Sequence, residues 1–212
     1  MNLPLIVLGA GGHTKVVIDI LLLKGCQVLG IVDRDPDKVG HKISGISVVG
    51  DDGVVRKYVA GAVELVNGIG SVSSTSRRFD IYKKFKTEGY SFANVIHPSA
   101  VISRDVQLGE GVQIMAGAVV QPGCKIGNNV LINTGVCVDH DCTIGDHVHL
   151  APGVVLSGAV NVGASSHIGT SATIIQGVAI GESAVIAAGA VVIEDIAAGI
   201  TVAGVPAKAV SK

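Results

Sequence analysis

From Ile102 onward an aliphatic residue returns at every sixth position, through Leu108, Ile114 and Val120 to Val192, sixteen positions in a row occupied by Ile, Leu or Val. Positions four residues further on are small or aliphatic as well, among them Val106, Ala118, Cys124, Val130 and Cys142, so both sets face one interior. A second period overlies the first, because Gly109, Gly127, Gly145, Gly163 and Gly181 each follow the aliphatic position and stand eighteen residues apart. Three hexads therefore make one structural unit, the mark of a repeat architecture. Six residues per short strand and corner, with a glycine-marked corner in each unit, predict a triangular prism of parallel strands stacked at about 4.8 Å.

The first ninety residues follow a different pattern. "PLIVLGAGGHTKVVIDILLLKGCQVLGIVDRD" reads as a strand at 4–8, a glycine turn at 9–12, a helix at 14–24 and a strand at 27–32, with Asp33 at its end. Further strands at 46–49 and 62–68 and a helix in "STSRRFDIYKKFKTEG" extend this βαβ unit to a small, doubly wound, Rossmann-like parallel sheet. The chain thus divides into an α/β domain, 1–95, and a repeat domain with a C-terminal tail, 96–212.

Composition narrows the function. Hydrophobic residues make up 48% of the chain but aromatics only 3%, so the core is built of small aliphatics. A net charge of −1 leaves no basic footprint for nucleic acid. The most apolar run, "VVIDILLLKG", is too short to span a bilayer and contains Asp19, and no cationic leader precedes it. A cytoplasmic protein without membrane insertion is expected. Cys26, Cys124, Cys137 and Cys142 lack zinc-type spacing and read as core or strand residues.

Candidate chemistry concentrates in "VDHDCTIGDHVHL", which holds three of the seven histidines. In the hexad frame His140 and Asp141 occupy the corner after Val138, where side chains leave the prism, and Asp139 and Asp141 flank the ring with carboxylates that can orient it. His149 precedes Leu150 and faces outward, and His167 stacks one coil away on the same face. That pair could ligate a metal only with a third ligand from a neighbouring chain, since His140 lies on another face, so no metal is expected. His147 reads as a surface residue and His97 as structural. Cys142 falls on an inward position and Cys137 has no evident base partner, which disfavours a thiol nucleophile. In the α/β domain, the turn G-A-G-G-H-T allows backbone amides to approach a phosphate at a helix N-terminus. Thr14 stands where the dinucleotide fingerprint has its last glycine, so NAD is disfavoured and a nucleotide-sugar diphosphate fits the same amides. Arg77 or Arg78 offers a phosphate contact or lies on a solvated helix face.

The order "GAGGHTKVV", "VDRD", "IHPSAVIS" and "INTGVCVDHDCTIGDHVHLAPGVVLSG" resembles the sialic acid O-acetyltransferase family of hexapeptide-repeat sugar acyltransferases, over essentially the whole chain. It resembles in particular the N-acetyltransferases of nucleotide-linked 4-amino-4,6-dideoxy sugars. The resemblance implies a left-handed parallel β-helix, acetyl-CoA as co-substrate, and a homotrimer with active sites between subunits. It implies Gly11, Gly12 and His13 at the diphosphate, Asp33 with Arg34 near the nucleoside, and "NGIGSVSSTSRR" along the base or ribose. His140 becomes the general base and His149 a neighbour of the thioester, with Gly158, Thr170 and Ala188 along the CoA groove and Lys208 near a CoA phosphate. The family pattern carries a second acidic residue where Arg34 stands, which leaves UDP, dTDP and GDP open. Two alternatives stand beside this reading: an O-acetyltransferase acting on sialic acid or a polysaccharide precursor, and a noncatalytic nucleotide-sugar-binding solenoid.

Overall fold

The computed structural model describes residues 3–72 and 74–210. The α/β domain comprises β1 (Leu5–Leu8), α1 (Gly12–Leu23), β2 (Val28–Val32), β3 (Lys42–Ile43), β4 (Ile46–Gly50), α2 (Asp52–Val55), β5 (Glu64–Asn67), α3 (Ser76–Thr87) and β6 (Ser91–Phe92). They form one sheet in the order β3-β4-β2-β1-β5-β6, parallel except for the β3/β4 hairpin. Alternation along β1 divides the packing between its two faces. Leu5 and Val7 meet Val17, Ile18 and Leu21 of α1, while Ile6 and Leu8 meet Ile81 and Phe85 of α3. The expected helix at 14–24 begins two residues earlier, at Gly12, with Gly11 as its N-cap.

The repeat domain is a three-sided parallel β-helix whose first paired strand is β7 (Val95–Ile96). Its three sheets are named here C, D and E. Sheet C continues from β7 through two-residue strands at Gln113, Leu131, His149, His167 and Val185, sheet D starts at Val101, and sheet E starts at Gln107. Both inward sets of the hexad are buried, Ile114, Val120 and Ile126 together with Ala118, Cys124 and Val130. Each aliphatic side chain so buried contributes about 1.5–3 kcal/mol.

At every sixth residue from Gly111 to Gly189, three after the aliphatic position, φ lies between 53° and 77°. This left-handed residue turns each corner, and Asp141 and His147 adopt it because the frame puts them there. The eighteen-residue glycine series, which begins each marked corner, has a steric cause. A Cβ on Gly109 would stand 2.7 Å from the carbonyl carbon of Gly127, so these glycines allow successive coils to stack. At the far end, Thr201–Ala203 joins sheet C and Lys208–Ala209 folds back on it antiparallel.

The α/β domain sits on sheet C. Helix α1 lies between the sheet of its own domain and the prism, and its apolar cluster includes Val95, Met115 and Leu131. This docking decides which outward-pointing residues of the prism become buried.

Candidate active site

A cleft of about 770 Å³ runs along the junction of the two domains. Its floor is the glycine turn at the N-terminus of α1, where neither Gly11 nor Gly12 would place a Cβ within 4 Å of another atom. The chain does not itself demand glycine at these two positions, so the free space is room for a ligand to approach the backbone. Asp33 lines the cleft, and its carboxylate accepts the Ala10 amide at 2.6 Å, the Asp35 amide at 3.0 Å and the Lys38 ammonium at 3.1 Å. Burial works to raise the Asp33 pKa, but the two amides and Lys38 outweigh it and hold the carboxyl below its ordinary range. Arg34 and Arg77 also line the cleft, Arg34 pairing with Asp52 at 3.3 Å. Ser71, Val72, Ser74 and Ser76 line it from the expected polar stretch, in which Ser73 lies outside the described residues.

Three expectations change here. Arg78 faces inward, not toward solvent or a phosphate: it is 2% exposed and donates to the carbonyls of Asn67 and Ile69 and to Asn129 Oδ1. Burial lowers its pKa to about 9. His147 is half-buried, edge-on to Phe79 and Tyr82, and bonds Asn129 at 3.0 Å. His149 points out of the prism but into the domain junction, 4% exposed, against His167 with ring centroids 4.9 Å apart. Asn133 Oδ1 accepts the Thr134 amide, so the Asn133 Nδ2 donates to His149 Nε2 at 3.3 Å, and His149 Nδ1 donates to Ser71 Oγ at 2.5 Å. Burial, then His167 and Arg78, bring the His149 pKa down to about 3. The ring is neutral with both nitrogens engaged, and has no N–H left for a developing oxyanion.

The second centre lies on the prism edge between sheets D and E. His140 Nδ1 bonds Asp141 Oδ2 at 2.9 Å, and the His140 amide donates to Asp139 Oδ1 at 2.8 Å. The Asp141 carboxylate fixes the tautomer that leaves Nε2 with its lone pair outward. This hydrogen bond to Asp141 raises the His140 pKa from its ordinary value of 6.5. The ring lies on Gly158 of the next coil, where a Cβ would stand 2.6 Å from His140 Nε2. The Gly158 amide makes no hydrogen bond among the described residues.

Within one chain these expected site residues are not brought together. His140 and Gly158 share the D/E edge, linked by the Ala159 amide to the His140 carbonyl. Thr170 and Ala188 stack on the C/D edge, the Gly189 amide bonding the Thr170 carbonyl. Lys208 lies in the terminal hairpin, 4.0 Å from Glu194. Asn133 and Gln113 were missed by sequence reasoning. A signal for them existed: outward residues of sheet C read Val95, Gln113, Leu131, His149, His167 and Val185, against exposed Gln107, Lys125, Thr143 and Asn161 on sheet E. Leucine at an outward position marks the covered face.

Residues 4–85 match the family described as the PglD N-terminal domain, and 105–140 and 123–158 match the bacterial transferase hexapeptide repeat. Over 99% of this chain and 97% of the other, the fold is shared with a histidine mutant of perosamine N-acetyltransferase from Caulobacter crescentus, solved with CoA and GDP-perosamine, at 38% identity and a TM-score of 0.90. The acetyltransferase domain of PglB from Neisseria gonorrhoeae, solved with acetyl coenzyme A, matches at 35% identity and a TM-score of 0.90, over 99% of this chain and all of that one. The chain belongs to the hexapeptide-repeat nucleotide-sugar acetyltransferases. No curated protein sequence matches it. In this acetyltransferase no three or more His, Cys, Asp or Glu among the described residues are grouped to hold a metal ion. Nor is any helix among them long and apolar enough to cross a membrane.

Proposed function

We propose that the protein transfers the acetyl group of acetyl-CoA to the amine of a nucleotide-linked 4-amino-4,6-dideoxy sugar, with His140 as general base. The observation that carries this reading is the His140 ring, held by Asp141 against the Cα side of Gly158, whose amide makes no hydrogen bond among the described residues. The amine nitrogen attacks the thioester carbonyl, the oxygen takes the negative charge facing the Gly158 N–H, and His140 Nε2 accepts the amine proton. Collapse breaks the C–S bond, and the thiolate of CoA leaves with the proton returned by His140. The backbone amides of Gly11, Gly12 and His13 hold the diphosphate, helped by the α1 dipole. Asp33 and Arg34 face the nucleoside end, and Arg77 offers a phosphate contact. Gly158, Thr170 and Ala188 offer backbone to CoA along the prism edges, and Lys208 offers charge to its phosphates. His149, in the cleft, belongs on the acceptor side. A product amide that resists hydroxylamine tests the reading, and a hydroxylamine-labile ester would move it to O-acetylation.

The working unit in this reading is a homotrimer assembled through sheet D. Sheet C is covered, sheet E is polar outside, and sheet D presents Val101, Val119, Cys137 and Val155, with Val101 63% and Val155 40% exposed. Three prisms meeting by their D faces set the D/E edge of one, with His140 and Gly158, beside the C/D edge of the next, with Thr170 and Ala188, and beyond it the cleft. Val155→Glu is expected to give monomers by light scattering with loss of most activity, while Thr143→Glu on sheet E leaves both unchanged.

The pH dependence follows from the ionisation of His140. The base works deprotonated, so kcat/KM rises with pH through an apparent pKa above 6.5, since the Asp141 hydrogen bond raises it. Asp141→Asn removes that bond's charge and is expected to move the limb toward lower pH while lowering the plateau. An unchanged limb would remove His140 from the role of base.

A further inference from the structure

Beneath the cleft lies a polar network that the transfer mechanism leaves without a role. His13 Nε2 stands 2.7 Å from Gln113 Oε1, Gln113 Nε2 donates to the Asn67 carbonyl at 2.7 Å, and Arg78 Nη1 donates to Gln113 Oε1 at 3.4 Å. Gln113 and Arg78 are 1% and 2% exposed. The partners fix the Gln113 amide, because a guanidinium only donates and a carbonyl only accepts. Its oxygen therefore faces His13, and His13 Nε2 must carry the proton. Among the described residues Arg78 has only oxygens of carbonyls and side-chain amides as acceptors, with no carboxylate to neutralise it. A second proton on His13 would face this buried cation. The remaining nitrogen, Nδ1, keeps its lone pair and has no hydrogen-bond partner among the described residues.

We infer that Gln113 and Arg78 are positioning residues that lock His13 as the neutral Nε2–H tautomer, so that its Nδ1 accepts a hydroxyl or amine proton of the bound sugar. The side chain is thereby excluded as a phosphate ligand. An ionised diphosphate has no proton to give, and two lone pairs facing one another repel. His13 stands in the first turn of α1, where the proposed diphosphate would bind, so Nδ1 reads the group next along the ligand, the sugar. Burial and then Arg78 lower the His13 pKa to about 4, against a smaller upward effect of Gln113, which keeps the acceptor available at neutral pH. The His13 backbone amide remains available to the diphosphate at the same time.

This inference rests on the nucleotide-sugar reading for the identity of the donor, but the tautomer itself can be measured without substrate. Nitrogen-15 correlation spectra of the imidazole rings, assigned with His13→Gln, are expected to show His13 protonated at Nε2 and bare at Nδ1 from pH 8 to pH 5. An imidazolium, or a proton on Nδ1, at pH 7 overturns it. Gln113→Glu, which supplies a carboxylate, is expected to convert the ring to imidazolium and to weaken binding of GDP-perosamine about tenfold or more, with GDP binding within about twofold of wild type. Tenfold corresponds to about 1.4 kcal/mol. Gln113→Met keeps the volume without the acceptor, and is expected to show both tautomers and an intermediate loss. Equal loss of GDP and GDP-perosamine in folded variants assigns the network to the nucleotide or to packing, and overturns the sugar contact. If wild type binds no nucleotide sugar, the functional reading fails, while the spectra still decide the tautomer.

Discussion

His140→Ala is expected to lower kcat/KM by about 10²- to 10⁴-fold, the range for loss of a positioned general base, with little change in thermal stability. The ring is exposed at a prism edge, and its contacts are Asp141 and Gly158, so its removal leaves the aliphatic core intact. The thioester is already activated, so the protein's contribution is to align amine, base and carbonyl. Loss of the base alone therefore leaves some activity. His140→Gln retains bulk over Gly158 without the basicity, and is expected to behave like the alanine variant if proton transfer is the role of the ring. A variant that keeps full kcat/KM would remove His140 from the role of base, whereas a wild type without turnover would favour the binding solenoid.

Gly158→Ala is expected to cost about 10²-fold in kcat/KM, the effect of displacing a reacting group by about an ångström. The added methyl would stand 2.6 Å from both Cε1 and Nε2 of His140, too close for any carbon contact, so the ring must swing off the corner and away from the Asp141 carboxylate. Backbone conformation is not the obstacle, because Gly158 has an ordinary φ. Gln176 occupies the same edge one coil further on and already carries a side chain, so Gln176→Ala serves as the control with activity unchanged. Full activity in Gly158→Ala with an unaltered His140 ring would contradict the stacked arrangement.

Much of the fold is legible because the prism repeats its constraint. Each coil must place two residues of every hexad in an interior too narrow for aromatics, and Ile114, Ala118 and Val120 display that rule as plainly as Ile168, Ala172 and Ile174. The His140–Asp141 pair was legible for the same reason, since the frame puts both residues on a corner. The domain junction was not. Whether an outward residue meets water or another domain is a property of docking, and periodicity carries no term for it. His149 and His147 were thus read as outward and surface residues although the first is buried and the second half-buried against the α/β domain, and Arg78 was taken for a possible phosphate ligand although it faces backbone carbonyls. The eighteen-residue glycines marked the corner in the sequence, but their cause, the close stacking of successive coils, shows only in the structure.

The identity of the acceptor decides most directly between N-acetyl and O-acetyl transfer. Thiol release from acetyl-CoA would be followed with GDP-perosamine, with UDP- and dTDP-linked 4-amino-4,6-dideoxy sugars, and with free sialic acid. Turnover of a nucleotide-linked amino sugar and none of sialic acid is the predicted result, and turnover of sialic acid alone would contradict it.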